Sequence, residues 1–160
     1  MLIPLLLISG THERKYLPLT PELHEAVDRV NRTWNSKIKY VSDMDHYGIP
    51  EKWSYPTDGK GDCEDYAIAK KTDLEKLGIK SYFVFCRTPK GKGHFVLQVF
   101  TERGALVLCN MHTDIRYASD FIRRGFVWIK VQFDDGWYSY ETGEKVKPPR
   151  RRIDFIKDKE

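Results

Sequence analysis

The chain has 160 residues, the size of one ordinary domain. Hydrophobic residues make up 41% of it and charged residues 31%, a globular composition that excludes a disordered or fibrous chain. The net charge is +4, and much of the excess lies in PPRRR at 148–152, which is typical of a solvated tail. Because no basic stripe runs through the rest of the sequence, we expect no nucleic-acid partner.

The first segment, residues 2–8, is apolar but far too short to span a bilayer. No Lys or Arg precedes it, and no small-residue cleavage site of a signal peptide follows it. It therefore predicts an N-terminal strand or packing arm, and we expect no integral membrane segment.

The next segments predict two helices. A helix over 20–35 is indicated because Thr20 can cap it, Pro21 suits its first position, and apolar residues recur at helical spacing. Residues 37–59 contain several prolines and glycines, which favours irregular chain. A second helix is predicted from about Asp62 to Leu77, with a glycine after it as the stop signal.

The remaining pattern is that of β-strands, rich in aromatic and β-branched residues. The predicted strands are 79–87, 94–101, 105–109, 126–133 and 137–140. Tight turns between the second and third strands, and between the last two, predict two hairpins. Helices followed by strands favour an α+β fold with an antiparallel sheet. We expect one domain over 1–160, with 147–160 as its basic tail.

Three cysteines occur, Cys63, Cys86 and Cys109. An odd count without a CxxC pair argues against a disulfide framework and against a structural zinc site. Such a count suits a reducing compartment. Together with the lack of a clear signal peptide, it predicts a cytoplasmic location.

Cys63 lies at the first turn of the second predicted helix, between Asp62 and the pair Glu64 and Asp65. A helix N-terminus lowers a thiol pKa because its N–H groups and dipole favour negative charge. The adjacent carboxylates raise that pKa. A reactive thiolate here therefore needs a nearby imidazolium or a bound cation.

His94 is the natural imidazole, because it opens a predicted strand after a loop that contains two glycines. A histidine on a strand facing the helix start could act as general base and later as general acid. The alternative is a histidine that only satisfies hydrogen bonds within the sheet, and the residues alone leave both open.

The sequence resembles the bacterial transglutaminase-like cysteine proteinases over about residues 23–140. The matching segments are VNRTWNSKIKYVSD (30–43), YGIPEKW (47–53), GDCEDYAIAK (61–70), LEKLG (74–78), GHFVLQV (93–99) and LVLCN (106–110). The resemblance implies a papain-like transglutaminase core, with the nucleophile at a helix N-terminus packed on an antiparallel sheet. Characterised members are periplasmic proteases that clip biofilm adhesins, so the periplasm is the alternative location.

Carried over by residue, the resemblance implies that Cys63 is the nucleophile and His94 the general base. The family's third member is an aspartate in a Leu-Asp-Asn pattern, and here Cys109 stands in its place, followed by Asn110. A thiol is a weak acceptor for an imidazole. We expect Asn110 to orient His94, with Asp114 as a second candidate and an impaired site as the third alternative.

The resemblance also implies calcium, held by acidic residues beside the nucleophile, and no organic cofactor. Asp62 and Glu64 match the metal positions best, with Asp65 beside them. The alternative is that Asp62 caps the helix while Glu64 and Asp65 complement its dipole. Trp53 is expected to pack in the core, with an oxyanion contact as its alternative.

These observations predict a cysteine protease that cleaves a peptide bond in a protein or peptide substrate. Two other functions remain open. The loss of the aspartate favours a fold that binds a peptide without cutting it. The same thiol could also support acyl transfer or deamidation, as in true transglutaminases.

Overall fold

The structure, a computed structural model, describes residues 16–150. The predicted packing arm at 2–8 and the end of the basic tail lie outside that range. No helix within the described residues is long and apolar enough to cross a membrane. The helices are α1 Pro21–Lys37, α2 Asp43–Tyr47, α3 Cys63–Lys76 and α4 Ala118–Arg123.

The two long helices, α1 and α3, begin where their capping residues predict. Thr20 caps α1 by accepting the N–H of Leu23 at 3.1 Å. In α3, the side chain of Asp65 accepts the N–H of the N-cap residue Asp62 at 3.2 Å. Gly78 follows α3 with a φ of 71°, a left-handed conformation that favours glycine.

Nine strands form two sheets. The strands are β1 Lys39–Tyr40, β2 Lys60–Gly61, β3 Tyr82–Arg87, β4 Gly93–Thr101, β5 Gly104–Leu108, β6 Arg116–Tyr117, β7 Val127–Phe133, β8 Gly136–Ser139 and β9 Lys145–Val146. The main sheet has the order β6-β5-β4-β3-β7-β8-β9, and each neighbouring pair is antiparallel. The α+β prediction and both predicted hairpins, β4–β5 and β7–β8, are thus confirmed.

The short elements are those that the sequence did not predict. Residues 37–59, interpreted as irregular, contain α2 and β1, and β1 pairs in parallel with β2. The β6–α4 segment and β9 also escaped prediction. Strands of two residues and helices of five or six contain too little of a repeating pattern to be recognised.

The main sheet is covered on both faces. On one face, α3 contributes Cys63 to a buried cluster that includes Phe95 and Leu97 of β4. On the other face, Val96 and Cys109 belong to a second cluster, together with residues of α4. Because side chains alternate along a strand, His94 lies on the second face, at the start of β4.

Candidate active site

Cys63 is the first residue of α3 and is 1% exposed. Its Sγ donates a hydrogen bond to Oε2 of Glu64 at 3.0 Å. The thiol proton is therefore held by a neighbouring carboxylate in this structure. Because a nearby negative charge disfavours the thiolate, activation of Cys63 requires this contact to be weakened.

The orientation of α3 places its first turn toward the His94 end of β4. Further along α3, Nζ of Lys71 donates to the carbonyl oxygen of Ser81 at 2.7 Å. Ser81 directly precedes β3, where Tyr82 pairs with Gln98 in the second half of β4. At the other end of α3, Asp65 in the first turn accepts the N–H of Ser54, and the adjacent Trp53 ring lies 4.8 Å from that of Phe95 near the start of β4. The first turn of α3 therefore lies toward the start of β4.

His94 is buried and contacts the residue that replaces the family's aspartate. Its Nε2 lies 3.2 Å from Sγ of Cys109, which directly follows β5. The same sulfur accepts the backbone N–H of Met111 at 3.4 Å. At the position where the family has its aspartate, the thiol of Cys109 thus contacts the imidazole of His94.

The thiol of Cys109 is neutral near neutral pH. Burial raises its pKa to about 11, although the N–H of Met111 and the positive charge of Lys70 oppose that increase. A neutral thiol accepts the Nε2–H of an imidazole more weakly than a carboxylate does. The contact with Cys109 therefore offers His94 less compensation for positive charge than a carboxylate would.

The other two candidates for the third position have different surroundings. Oδ1 of Asn110 is buried and lacks a hydrogen-bond partner within residues 16–150. Asp114 forms an ion pair with Arg116, Oδ1 to Nη2 at 3.4 Å, and its side chain is 49% exposed. Arg116 also holds the pKa of Asp114 below its usual value.

Four buried carboxylates surround the start of α3. Asp43, Asp62 and Asp65 have oxygens within 4.8 Å of one another, and Asp62 and Glu64 form a similar group with the Cys63 sulfur. All four are at most 2% exposed. Sequence reasoning missed Asp43, because it lies in the segment interpreted as irregular, although it ends a block shared with the family.

Asp65 shows how concentrated the negative charge is. Its Oδ1 accepts the N–H of Ser54 at 2.9 Å, and its Oδ2 accepts the N–H of Asp62. Burial, together with the charges of Asp62 and Asp43, raises its pKa to about 6, although these N–H groups lower it. A set of buried carboxylate oxygens is chemically suited to a hard divalent cation.

Trp53 makes the contacts of a packing residue. Its ring lies edge-on to Phe95 and Phe83, with centroid distances of 4.8 and 5.6 Å. Its indole N–H points to Oε1 of Glu51 at 3.4 Å.

The sequence model of one protein family, the bacterial transglutaminase-like cysteine proteinases, matches residues 8–143, most of the chain. The chain belongs to this family. It is therefore a cysteine protease that acts on protein substrates. Comparison with curated proteins finds no match.

Two solved structures of Legionella pneumophila LapG are similar to this chain. The calcium-bound form aligns over 89% of this chain and 83% of its own, with 23% identity and a TM-score of 0.66. The EGTA-treated form aligns over 81% and 73%, with 22% identity and a TM-score of 0.63. These matches confirm the transglutaminase-like fold class.

The predicted cytoplasmic location is wrong, because the family and LapG are periplasmic. The prediction relied on an odd cysteine count and on the absence of a clear signal peptide. An odd count is equally natural in an exported enzyme that keeps one thiol for catalysis, and none of the three cysteines here forms a disulfide.

Proposed function

We propose that Cys63 and His94 perform the proteolytic reaction of this chain. The observation that carries the proposal is a thiol at the first turn of α3, with that turn beside the start of β4, where His94 lies. By strand alternation His94 projects to the other face of the sheet from the Cys63 cluster, so the proposal requires the two side chains to meet at the edge of the sheet where β4 begins. A helix start stabilises a thiolate, and the imidazole at the strand start is the base that the thiol requires.

The contact between His94 and Cys109 supports different roles for the two ring nitrogens. Since Nε2 faces the Cys109 sulfur, Nδ1 is the atom that takes the proton of Cys63. The thiolate then attacks the peptide carbonyl, and backbone N–H groups at the start of α3, including that of Cys63, stabilise the oxyanion. Nδ1–H returns its proton to the leaving amine, and water hydrolyses the acyl-enzyme.

For the third position we propose Cys109 as the side chain that orients His94, with Asn110 as the alternative. The 3.2 Å contact supports Cys109. The buried Oδ1 of Asn110 accepts no hydrogen bond within the described residues. This supports a rotation of the Asn110 side chain toward the imidazole, where Oδ1 would accept the ring N–H.

We further propose that calcium binds through Asp62, Glu64 and Asp65, with Asp43 as a fourth ligand. LapG has been solved in a calcium-bound form, and four buried carboxylates give this chain a fitting donor set. Bound calcium would supply positive charge beside the nucleophile. Glu64 links the two parts of the site, because its Oε2 also holds the Cys63 proton.

The test is cleavage of fluorescently labelled casein with calcium present, using Cys63→Ala, His94→Ala and the control Cys86→Ala. Cys86 is a fully buried cysteine whose backbone pairs with that of His94, so it controls for the loss of a buried thiol beside the imidazole. We expect Cys63→Ala and His94→Ala to lose all turnover while Cys86→Ala retains it. Turnover by Cys63→Ala would refute the mechanism.

Two further readouts separate the other functions. Incorporation of a fluorescent amine into casein, or deamidation of its glutamines, would indicate acyl transfer by the same thiol. Retention of casein without cleavage by the wild-type chain would indicate a binding module.

A further inference from the structure

The segment that follows β5, residues 109–113, is held by two asparagines of α1. Nδ2 of Asn35 donates to the carbonyl oxygens of Cys109 and His112, at 3.0 and 2.8 Å. Nδ2 of Asn31 donates to the carbonyl oxygens of His112 and Thr113, at 3.2 and 3.3 Å. Asn31 and Asn35 are four residues apart, so both project from one side of α1.

We call Asn31 and Asn35 the asparagine clamp. Lys70 connects this clamp to α3, the helix that begins with Cys63. It is 1% exposed, and its Nζ donates to Oδ1 of Asn31 at 2.8 Å. Lys70 is seven residues after Cys63, two helical turns along the same face of α3. Its positive charge also acts on the thiol of Cys109.

Burying the ammonium of Lys70 and the carboxamide of Asn31 costs free energy that packing alone does not offset. A fully buried lysine loses its hydration, and that loss lowers the pKa of Lys70 to about 7. Asn31 is 0% exposed and uses both ends of its carboxamide, one toward Lys70 and one toward the segment. The proposed reaction gives none of the three a chemical role, yet they fix the backbone next to His94.

We propose that Asn31, Asn35 and Lys70 are positioning residues that hold the side chain at 109 against His94. The inference rests on the proposed role of His94 as general base. The hydrogen bond to the Cys109 carbonyl sets where Sγ points, and Sγ contacts Nε2 of the imidazole. Keeping the proton on Nε2 leaves Nδ1 as the nitrogen that accepts the proton of Cys63.

The test is the nitrogen NMR spectrum of His94 against pH in the full chain, which reports the tautomer and the titration midpoint of the ring. Asn35→Ala removes the two hydrogen bonds that Asn35 donates to the segment, and Lys70→Met removes the charge while keeping the length of the side chain. Ser36→Ala is the matched control, since Ser36 is the exposed neighbour of Asn35 on α1. Far-UV circular dichroism confirms that each variant is folded.

We expect wild type and Ser36→Ala to show His94 mainly as the Nε2–H tautomer. Asn35→Ala and Lys70→Met should lose that preference and shift the titration midpoint, and a purely structural role would lower stability without either change. If Asn35→Ala does not fold, Asn35→Asp, which keeps the shape but loses the donors, replaces it. Unchanged His94 spectra in the folded variants would overturn the proposal.

Casein hydrolysis measured in parallel separates this inference from the proposed function. A wild-type chain that cuts casein while the variants keep the wild-type His94 spectrum would refute the positioning role alone. A wild-type chain without turnover would refute the proposed function, whereas the spectra would still decide whether the clamp orients His94.

Discussion

Replacing Lys70 with methionine should change how the stability of the protein depends on pH. Lys70 is a base whose pKa falls from 10.5 to about 7 on folding, chiefly because burial removes its hydration. Between these values the unfolded chain binds more protons than the folded chain. The free energy of unfolding contributed by this residue therefore rises with pH from about 7 to 10.5 and is lowest below pH 7.

The magnitude follows from the size of the shift. Each pKa unit corresponds to about 1.4 kcal/mol, so the whole shift costs the folded state about 5 kcal/mol below pH 7. Between pH 7 and 9 the residue should restore roughly 2 kcal/mol of that stability. Lys70→Met removes the titration but leaves Oδ1 of Asn31 without its donor, which costs about 1–3 kcal/mol at all pH values.

The assay is urea unfolding of wild type and Lys70→Met at pH 6, 7, 8 and 9. The difference between the two free energies at each pH isolates Lys70, because the other titrating groups are common to both. Lys76→Met is the control, since that side chain lies on α3 but is 69% exposed. As the pH falls from 9 to 7, we expect the stability of Lys70→Met relative to wild type to rise by roughly 2 kcal/mol.

The reasoning would be refuted if the two stability curves were parallel across this range. Parallel curves would mean that Lys70 keeps its ordinary pKa in the folded state. The ammonium of Lys70 would then be hydrated or paired with a negative charge. The hydrogen bonds around residues 109–113 would not be shielded from water.

Three further predictions concern the site. Asp43→Asn should weaken calcium binding about tenfold or more by isothermal titration calorimetry, because it removes the charge of one of four carboxylates; an unchanged affinity would exclude Asp43 as a ligand. Glu64→Gln should speed the reaction of Cys63 with iodoacetamide at pH 7 without calcium, since a neutral amide holds the thiol proton less strongly; a slower reaction would contradict the role of Glu64. Asn110→Ala should leave casein cleavage within about twofold of wild type if Cys109 orients His94, and a loss of hundredfold would favour Asn110.

The sequence predicted the parts of the fold that carry a regular pattern. Apolar residues at helical spacing, with Thr20 as cap, located α1, and the β-branched and aromatic runs located the strands that pair with β4. Cys63 and His94 could be proposed as nucleophile and base because each lies at the start of an element.

The rest of the site depends on contacts between distant parts of the chain. Lys70 is 39 residues from Asn31, and Asn35 is 74 residues from the carbonyl of Cys109. From the sequence, Lys70 is one of several lysines on a helix, and nothing in its spacing indicates burial. Asp43 was missed for the same reason, since its group forms only when the 37–59 segment folds against α3.

The residue at position 109 also affects the pKa of Lys70, which burial lowers. A carboxylate at 109 would give the ammonium of Lys70 a nearby negative charge, whereas the neutral thiol of Cys109 gives it none near pH 7. Cys109→Asp should therefore raise the pKa of Lys70 and flatten the difference in stability between pH 7 and 9 that Lys70 causes.

The same substitution should strengthen the acceptor for Nε2–H of His94 and raise kcat/KM for casein about tenfold. Cys109→Ser is the control, because it replaces the sulfur with oxygen but adds no charge. It should neither raise kcat/KM as Cys109→Asp does nor change how stability depends on pH. If Cys109→Asp raised activity but left the pH dependence of stability unchanged, Lys70 would not sense residue 109, and the coupling between the clamp and the third position would be wrong.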